Sequence, residues 1–185
     1  MPARLRDFVA AFDALLGQGA DEARILADGA ELLRALLAQD NWLAPEYAQP
    51  DAQYYRQYLL YLDPAARYSV VSFVWGPGQA TPIHNHTVWG MVGMLRGGES
   101  VQDYRRAADG ALLADGPVKR LEPGMVAAVS PSVGDIHQVF NAYDDRVSVS
   151  IHVYGADIGA VDRAVFAPDG AIKPFRSGYA NVLYQ

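Results

Sequence analysis

From Tyr54 onward the chain is a series of short apolar runs. "YYRQYLLYL", "RYSVVSFVW", "TVWGMVGML", "GESVQDYRR", "GMVAAVS", "DIHQVFNA" and "RVSVSIHVYG" are rich in β-branched and aromatic residues, and Gly, Pro, Asn or Asp usually separates them. Strands this short and this regularly punctuated fold into a sandwich or a barrel. The first 40 residues have a different texture. Leu5, Phe8, Val9, Phe12, Leu15 and Leu16 recur at helical spacing until Gly17 and Gly19 stop the run, and Ile25, Leu26, Leu32, Leu33, Leu36 and Leu37 form a second amphipathic run around Gly29. "NWLAPEYAQPDAQ", with two prolines, reads as a connector. The expectation is one domain over 1–185, mostly β. A mainly helical N-terminal layer (1–50) covers an antiparallel β-barrel, and loops and short strands around "APDG" and "FRSGYAN" close it (54–185).

Composition removes several classes of function. There is no cysteine among the 185 residues, so disulfides, Cys-based zinc sites and a cysteine nucleophile are excluded. Any metal must be held by His, Asp or Glu. A net charge of -6, with no basic cluster larger than "YRRAADG", argues against a nucleic-acid partner. No apolar run approaches the roughly 18 residues that span a bilayer. The N-terminal stretch is interrupted by Asp7 and Asp13 and lacks the separate charged and apolar blocks of a signal peptide, so the chain reads as cytoplasmic.

All four histidines, His84, His86, His137 and His152, lie in the β half. In a strand, residues i and i+2 share a face, so His84 and His86 can aim both imidazoles at one point inside a barrel. The plainer alternative is two polar residues on a solvated face. Around the pair runs Gly78-x5-His84-x-His86, continuing to Gly97, and a second stretch, "PSVGDIHQVFN", carries Pro131, Gly134, His137 and Asn141. These patterns resemble the two motifs of the cupin superfamily, small jelly-roll-like barrels that hold a metal inside. The second motif has one extra residue between Pro131 and Gly134. The glutamate position of the first is filled by Gly90, and Glu99 lies too far along to replace it in register. A site with three neutral imidazoles and no anionic ligand suits an anionic substrate bound on the metal. Imidazole alone does not choose among Fe, Cu, Ni and Zn.

"SVSIHVYG" adds Ser150, His152 and Tyr154 on one strand face, with Val149, Ile151 and Val153 on the other. Hydroxyl, imidazole and phenol in a row can form a hydrogen-bond relay. No carboxylate is expected to orient the histidine and the order of roles is wrong for serine hydrolysis, so the row does not read as a nucleophilic triad. Three histidines with a downstream Ser-x-His-x-Tyr resemble the thiol dioxygenase family, whose best-known member is cysteine dioxygenase. That resemblance implies one Fe(II) per chain on His84, His86 and His137. It makes Ser150, His152 and Tyr154 a catalytic relay, with the tyrosine hydroxyl beside the bound thiol or oxygen. It also implies O2 and a small thiol as the partners and a sulfinate as the product.

Two departures refine it. Gly90 stands where the mammalian enzymes place a crosslinking cysteine. Gln57, beside Arg56 in "YYRQYLLY", stands where they hold the substrate carboxylate with arginine. Both are similar to the bacterial 3-mercaptopropionate dioxygenase branch, in which an arginine about nine residues past the relay tyrosine takes the carboxylate. Arg163 in "AVDRAVF" occupies that position, and the alternative for it is a surface arginine paired to Asp162. The expected reaction is 3-mercaptopropionate to 3-sulfinopropionate by a monomer or small homo-oligomer, with Arg163 and Gln57 as substrate-binding residues. The alternatives are cysteine or cysteamine as the thiol, a Zn or Mn reaction on the same barrel, and a non-catalytic ligand-binding cupin.

Overall fold

The computed structural model describes residues 1–167 and 171–182. Two helices, α1 (Ala3–Gly17) and α2 (Glu22–Leu37), precede a single 3-10 turn at Pro45–Ala48. Twelve described strands follow: β1 (Arg56–Leu62), β2 (Ser69–Trp75), β3 (Ile83–His84), β4 (Gly90–Arg96), β5 (Glu99–Arg106), β6 (Leu112–Ala114), β7 (Lys119–Leu121), β8 (Val126–Val129), β9 (Ile136–Asn141), β10 (Ser148–Tyr154), β11 (Arg163–Phe166) and β12 (Ile172–Phe175). They form two antiparallel sheets. One has the order β1-β2-β10-β4-β8. The other runs β12-β11-β3-β9-β5-β6, with β7 also on β5. All seven apolar runs of the sequence become strands. Of the "APDG" turn, residues 168–170 lie outside the described residues.

Alternation along the central strands divides the core in two. Val71, Phe73 and Trp75 of β2 and Tyr154 of β10 point into the barrel, where they meet Val92, Met94, Val101, Val129 and Val139 from strands of both sheets. The other parity packs outward: Val70 and Val74 of β2, with Val149, Ile151 and Val153 of β10, lie under Phe12, Leu33 and Leu37 of the helices. The helical layer therefore buries the central strands of the five-stranded sheet on both faces, and β2 and β10 are buried at every position. Gly29, a weak point in the helical pattern, is explained by close approach. A Cβ there would lie 2.9 Å from both Met91 Cε and a Phe12 ring carbon, so α2 can press onto the sheet only with no side chain at this position. Asp21 caps α2 by accepting a hydrogen bond from the Arg24 N–H at 2.9 Å. No described helix is long and apolar enough to cross a membrane.

Candidate metal centre

The three motif histidines converge. One ring nitrogen from each of His84, His86 and His137 lies within 4.8 Å of the others, and all three side chains are buried. His84 and His137 are direct cross-strand partners of β3 and β9. His86 is not in a strand, because β3 is only two residues long and ends at His84. Its position is set instead by the opposite loop. Asp135 Oδ1 accepts from the His86 backbone N–H at 2.9 Å, and Oδ2 accepts from the Thr87 N–H at 3.1 Å. The ring Nδ1 of His86 faces Asp135 Oδ1 and the Asp135 carbonyl, each at 3.3 Å. Thr87 adopts a φ of 62°, a left-handed conformation that a β-branched residue adopts only under constraint. That constraint sits one residue after a candidate ligand.

These partners also fix the tautomers. The Pro82 carbonyl takes the Nδ1–H of His84 at 3.0 Å, and Asp135 takes that of His86. In both rings the Nε2 lone pair is left free for an ion. Burial keeps the rings neutral: it pushes His84 down to about 3, helped by His86, and holds His137 well below the usual histidine range. Imidazole–metal bonds are about 2.0–2.1 Å long, so two nitrogens on one ion lie at most about 4.2 Å apart, and the 4.8 Å triangle contracts by more than half an ångström along its longest edge to hold one. The residues thus fit a single divalent ion on three neutral nitrogens. Removing the supporting carboxylate in Asp135→Ala is expected to weaken metal affinity about 10- to 100-fold, measured by competition against a chromogenic chelator.

The Ser-His-Tyr row forms as a continuous chain inside the barrel. Ser150 Oγ lies 2.8 Å from His152 Nε2, and His152 Nδ1 lies 2.8 Å from the Tyr154 hydroxyl. Phe73 stacks on the His152 ring with centroids 4.0 Å apart. Tyr154 stacks on His86 with centroids 5.5 Å apart, so the relay abuts the histidine cluster. Gly90 makes this seat. It lies directly across from Tyr154 on β4, and a Cβ there would fall 2.5 Å from Cδ1 and 2.7 Å from Cε1 of the tyrosine ring.

The two candidate substrate residues come to the same interior. Gln57 pairs with Phe73 and so shares its inward face, while Arg56 pairs with Val74 and forms an exposed ion pair with Asp51. Gln57 Oε1 is buried and has no hydrogen-bond partner among the described residues. Arg163 is buried at 6% exposure. Asp162 pairs with Arg176 instead. One Arg163 nitrogen donates to Ser177 Oγ at 2.6 Å, and the guanidinium lies 4.5 Å above the Phe175 ring. No carboxylate pairs with it among the described residues. Its charge opposes protonation of all four histidines, acting in each case behind the larger effect of burial. The neighbouring Ala164 is stapled to Asn85, between the two ligands, by bonds of 2.8 and 3.1 Å.

A family model described as cysteine dioxygenase type I matches residues 20–163, ending at Arg163. The chain belongs to the cysteine dioxygenase type I family. Membership of that family suggests thiol dioxygenase activity and, at the three-histidine site, a metal. Among solved structures the chain is similar to a double-stranded β-helix protein from Klebsiella pneumoniae (16% identity, 74% of this chain and 97% of that one, TM-score 0.46). It is also similar to an RmlC-like cupin from Desulfovibrio desulfuricans (19%, 63% and 94%, TM-score 0.45) and a cupin superfamily protein from Desulfitobacterium hafniense (12%, 64% and 94%, TM-score 0.47).

Three residues of the site were not legible as such. Asp135 is one residue past Gly134 in the second motif, and only the fold brings it to His86. Trp75, a core residue of the barrel, also directs its indole N–H to Ser150 Oγ at 3.3 Å. Glu99, set aside as out of register for a metal ligand, is fully buried behind the relay, where its Oε1 accepts a hydrogen bond from Ser150. A carboxyl group therefore does end the row, through the serine and not on the histidine. The one signal for it was period two, since Glu99 and Val101 share the inward face of β5.

Proposed function

We propose that this protein oxidises a small thiol carboxylic acid, 3-mercaptopropionate foremost, to its sulfinate with both atoms of O2. One Fe(II), held by His84, His86 and His137, is the proposed cofactor. The observation that carries the substrate reading is Arg163: a buried guanidinium with no carboxylate partner among the described residues, beside three neutral imidazoles. A buried cation in that state is a site for an anion, and a planar fork matches a carboxylate.

When bound, the iron would supply Lewis acidity that favours the thiolate and a redox partner for O2. The protein's own residues do the rest. Three neutral ligands leave the ion's charge uncompensated, which favours an anionic thiolate there. Arg163, steadied by Ser177 and Phe175, and the free amide of Gln57 orient the carboxylate. Fixing both ends of a short substrate makes its encounter with the reacting partner effectively unimolecular. Tyr55, Phe73 and Trp75 stack along one wall, with centroids 5.0–6.0 Å apart, and exclude water. The Tyr154 hydroxyl, held by His152, is positioned to exchange a hydrogen bond with the reacting group. Oxygen-electrode assays of Fe(II)-loaded protein with 3-mercaptopropionate, cysteine and cysteamine test the reading. The highest kcat/KM is expected for 3-mercaptopropionate. A preference for cysteine would keep the dioxygenase and replace the substrate.

A further inference from the structure

Glu99 is a buried acid that the proposed reaction leaves unused. It begins β5, with its side chain inside the barrel and fully buried. It pairs with Asn141, four residues along the β5–β9 ladder from the Asp103–His137 pair. At about 3.3 Å per residue that separates it from His137 by about 13 Å along the strand. The polar side chains that bear on it are Ser150, which donates to Oε1, and Trp75, which also donates to Ser150. Its Oε2 is buried and has no hydrogen-bond partner among the described residues.

We propose that Glu99 sets the direction in which the Ser150–His152–Tyr154 hydrogen bonds run, and so whether Tyr154 offers a proton to the site or withholds it. This deepens the dioxygenase reading and rests on it for its consequence in turnover. With Glu99 neutral, its O–H donates to Ser150, Ser150 donates to His152 Nε2, and His152 Nδ1–H donates to the Tyr154 oxygen. The tyrosine O–H is then directed into the site. With Glu99 ionised every bond reverses: Ser150 donates to Glu99, His152 Nε2–H to Ser150, and Tyr154 to His152 Nδ1. The phenol then meets the site with lone pairs only. The Ser150 oxygen can accept the Trp75 N–H in both states, and the pull of the indole on Glu99 itself favours the ionised one. Transfer of the Tyr154 proton to a group in the site moves one proton along each link. The net change is loss of a proton from Glu99, with no charge left on tyrosine or histidine.

Three features support this arrangement. A bare, buried Oε2 is far less costly on a neutral acid than on a carboxylate. Burial pushes Glu99 up to about 7, against the pull of its bonds to Ser150 and Trp75, so both states lie within reach at neutral pH. Burial, with His86, His84 and Arg163, holds His152 well below the usual range, so it passes protons as a neutral tautomer. The ionisable groups around Glu99 are His152 and Tyr154 on β10, His137 on β9, Asp103 on β5 itself and Lys119 on β7. Asp103 and Lys119 pair with each other at 2.5 Å. With Glu99 and His137 they line a cavity of about 50 Å³, room enough for a water molecule to exchange a proton with Glu99.

The test reads the His152 tautomer by nitrogen-15 NMR of the full chain, histidine-labelled and loaded with diamagnetic Zn(II), across about pH 6 to 8, which brackets the Glu99 value of about 7. His152 is expected to change from the Nδ1–H to the Nε2–H form as pH rises, without becoming cationic. In Glu99→Gln it is expected to hold one tautomer throughout, and the corresponding limb of the kcat–pH profile is expected to disappear. Ser150→Ala, which cuts the row without touching the acid, is the second variant and is expected to uncouple His152 in the same way. A single tautomer across the range in the wild type, or a switch that survives in Glu99→Gln or Ser150→Ala, overturns the proposal. Because the tautomer is read without turnover, absent thiol oxidation would overturn the functional reading and leave this result standing.

Discussion

Replacing His137 with alanine is expected to abolish stoichiometric metal binding and to lower thiol oxidation by a factor on the order of a thousand or more. The size follows from what a Lewis-acidic ion contributes to a reaction, several kcal/mol of charge stabilisation, at about 1.4 kcal/mol for each tenfold in rate. The fold should survive. His137 is one position in the β9 ladder, which keeps its backbone pairing to both β3 and β5. Burial already disfavours the charged ring, so the alanine leaves no unpaired charge behind. Elemental analysis after loading, beside circular dichroism, separates the outcomes. Lost metal with retained β signal supports a ligand role. Retained metal at one ion per chain would return the histidine to an ordinary buried polar residue.

The second large effect belongs to Arg163. In Arg163→Gln the KM for 3-mercaptopropionate is expected to rise by about 30- to 1,000-fold, matching the 2–4 kcal/mol lost when one partner of a buried charged pair is removed. Turnover at saturation should change far less, because the arginine is assigned to the remote end of the substrate. Cysteamine, which has no carboxylate, supplies the internal control and should lose little. Arg163→Lys should rescue only partly, since a point charge cannot reproduce the two-pronged contact. Equal losses with both thiols would assign Arg163 instead to supporting Phe175 and Ser177.

The fold was legible where the apolar pattern is sequence-local. "RVSVSIHVYG" carries Val or Ile at every second position, on the parity packed under the helices, and "RYSVVSFVW" is apolar on both parities because one faces the barrel and the other the helices. The strands β3, β6, β7, β11 and β12 were not individually legible. Each is two to four residues long, and β6, β7 and β12 are mostly exposed, so no period has room to develop. The site divides in the same way. Ser150, His152 and Tyr154 were visible because a strand repeats every two residues. His86 met His84 for a different reason than period two, since it lies past the strand and is held by Asp135, 49 residues away. Glu99 was invisible as a relay partner because its bond to Ser150 spans 51 residues. Contacts of that range follow from the strand order, which no local pattern carries.

The most direct test of the central claim is the stoichiometry of a single reaction. Protein loaded anaerobically with Fe(II) is mixed with 3-mercaptopropionate and O2, and oxygen consumed, thiol lost and product formed are followed together. One O2 per thiol, with 3-sulfinopropionate carrying both oxygen atoms from labelled O2, is the expected result. Disulfide with hydrogen peroxide, oxygen in the product from water, or no oxygen uptake with any small thiol would contradict a thiol dioxygenase built on His84, His86 and His137.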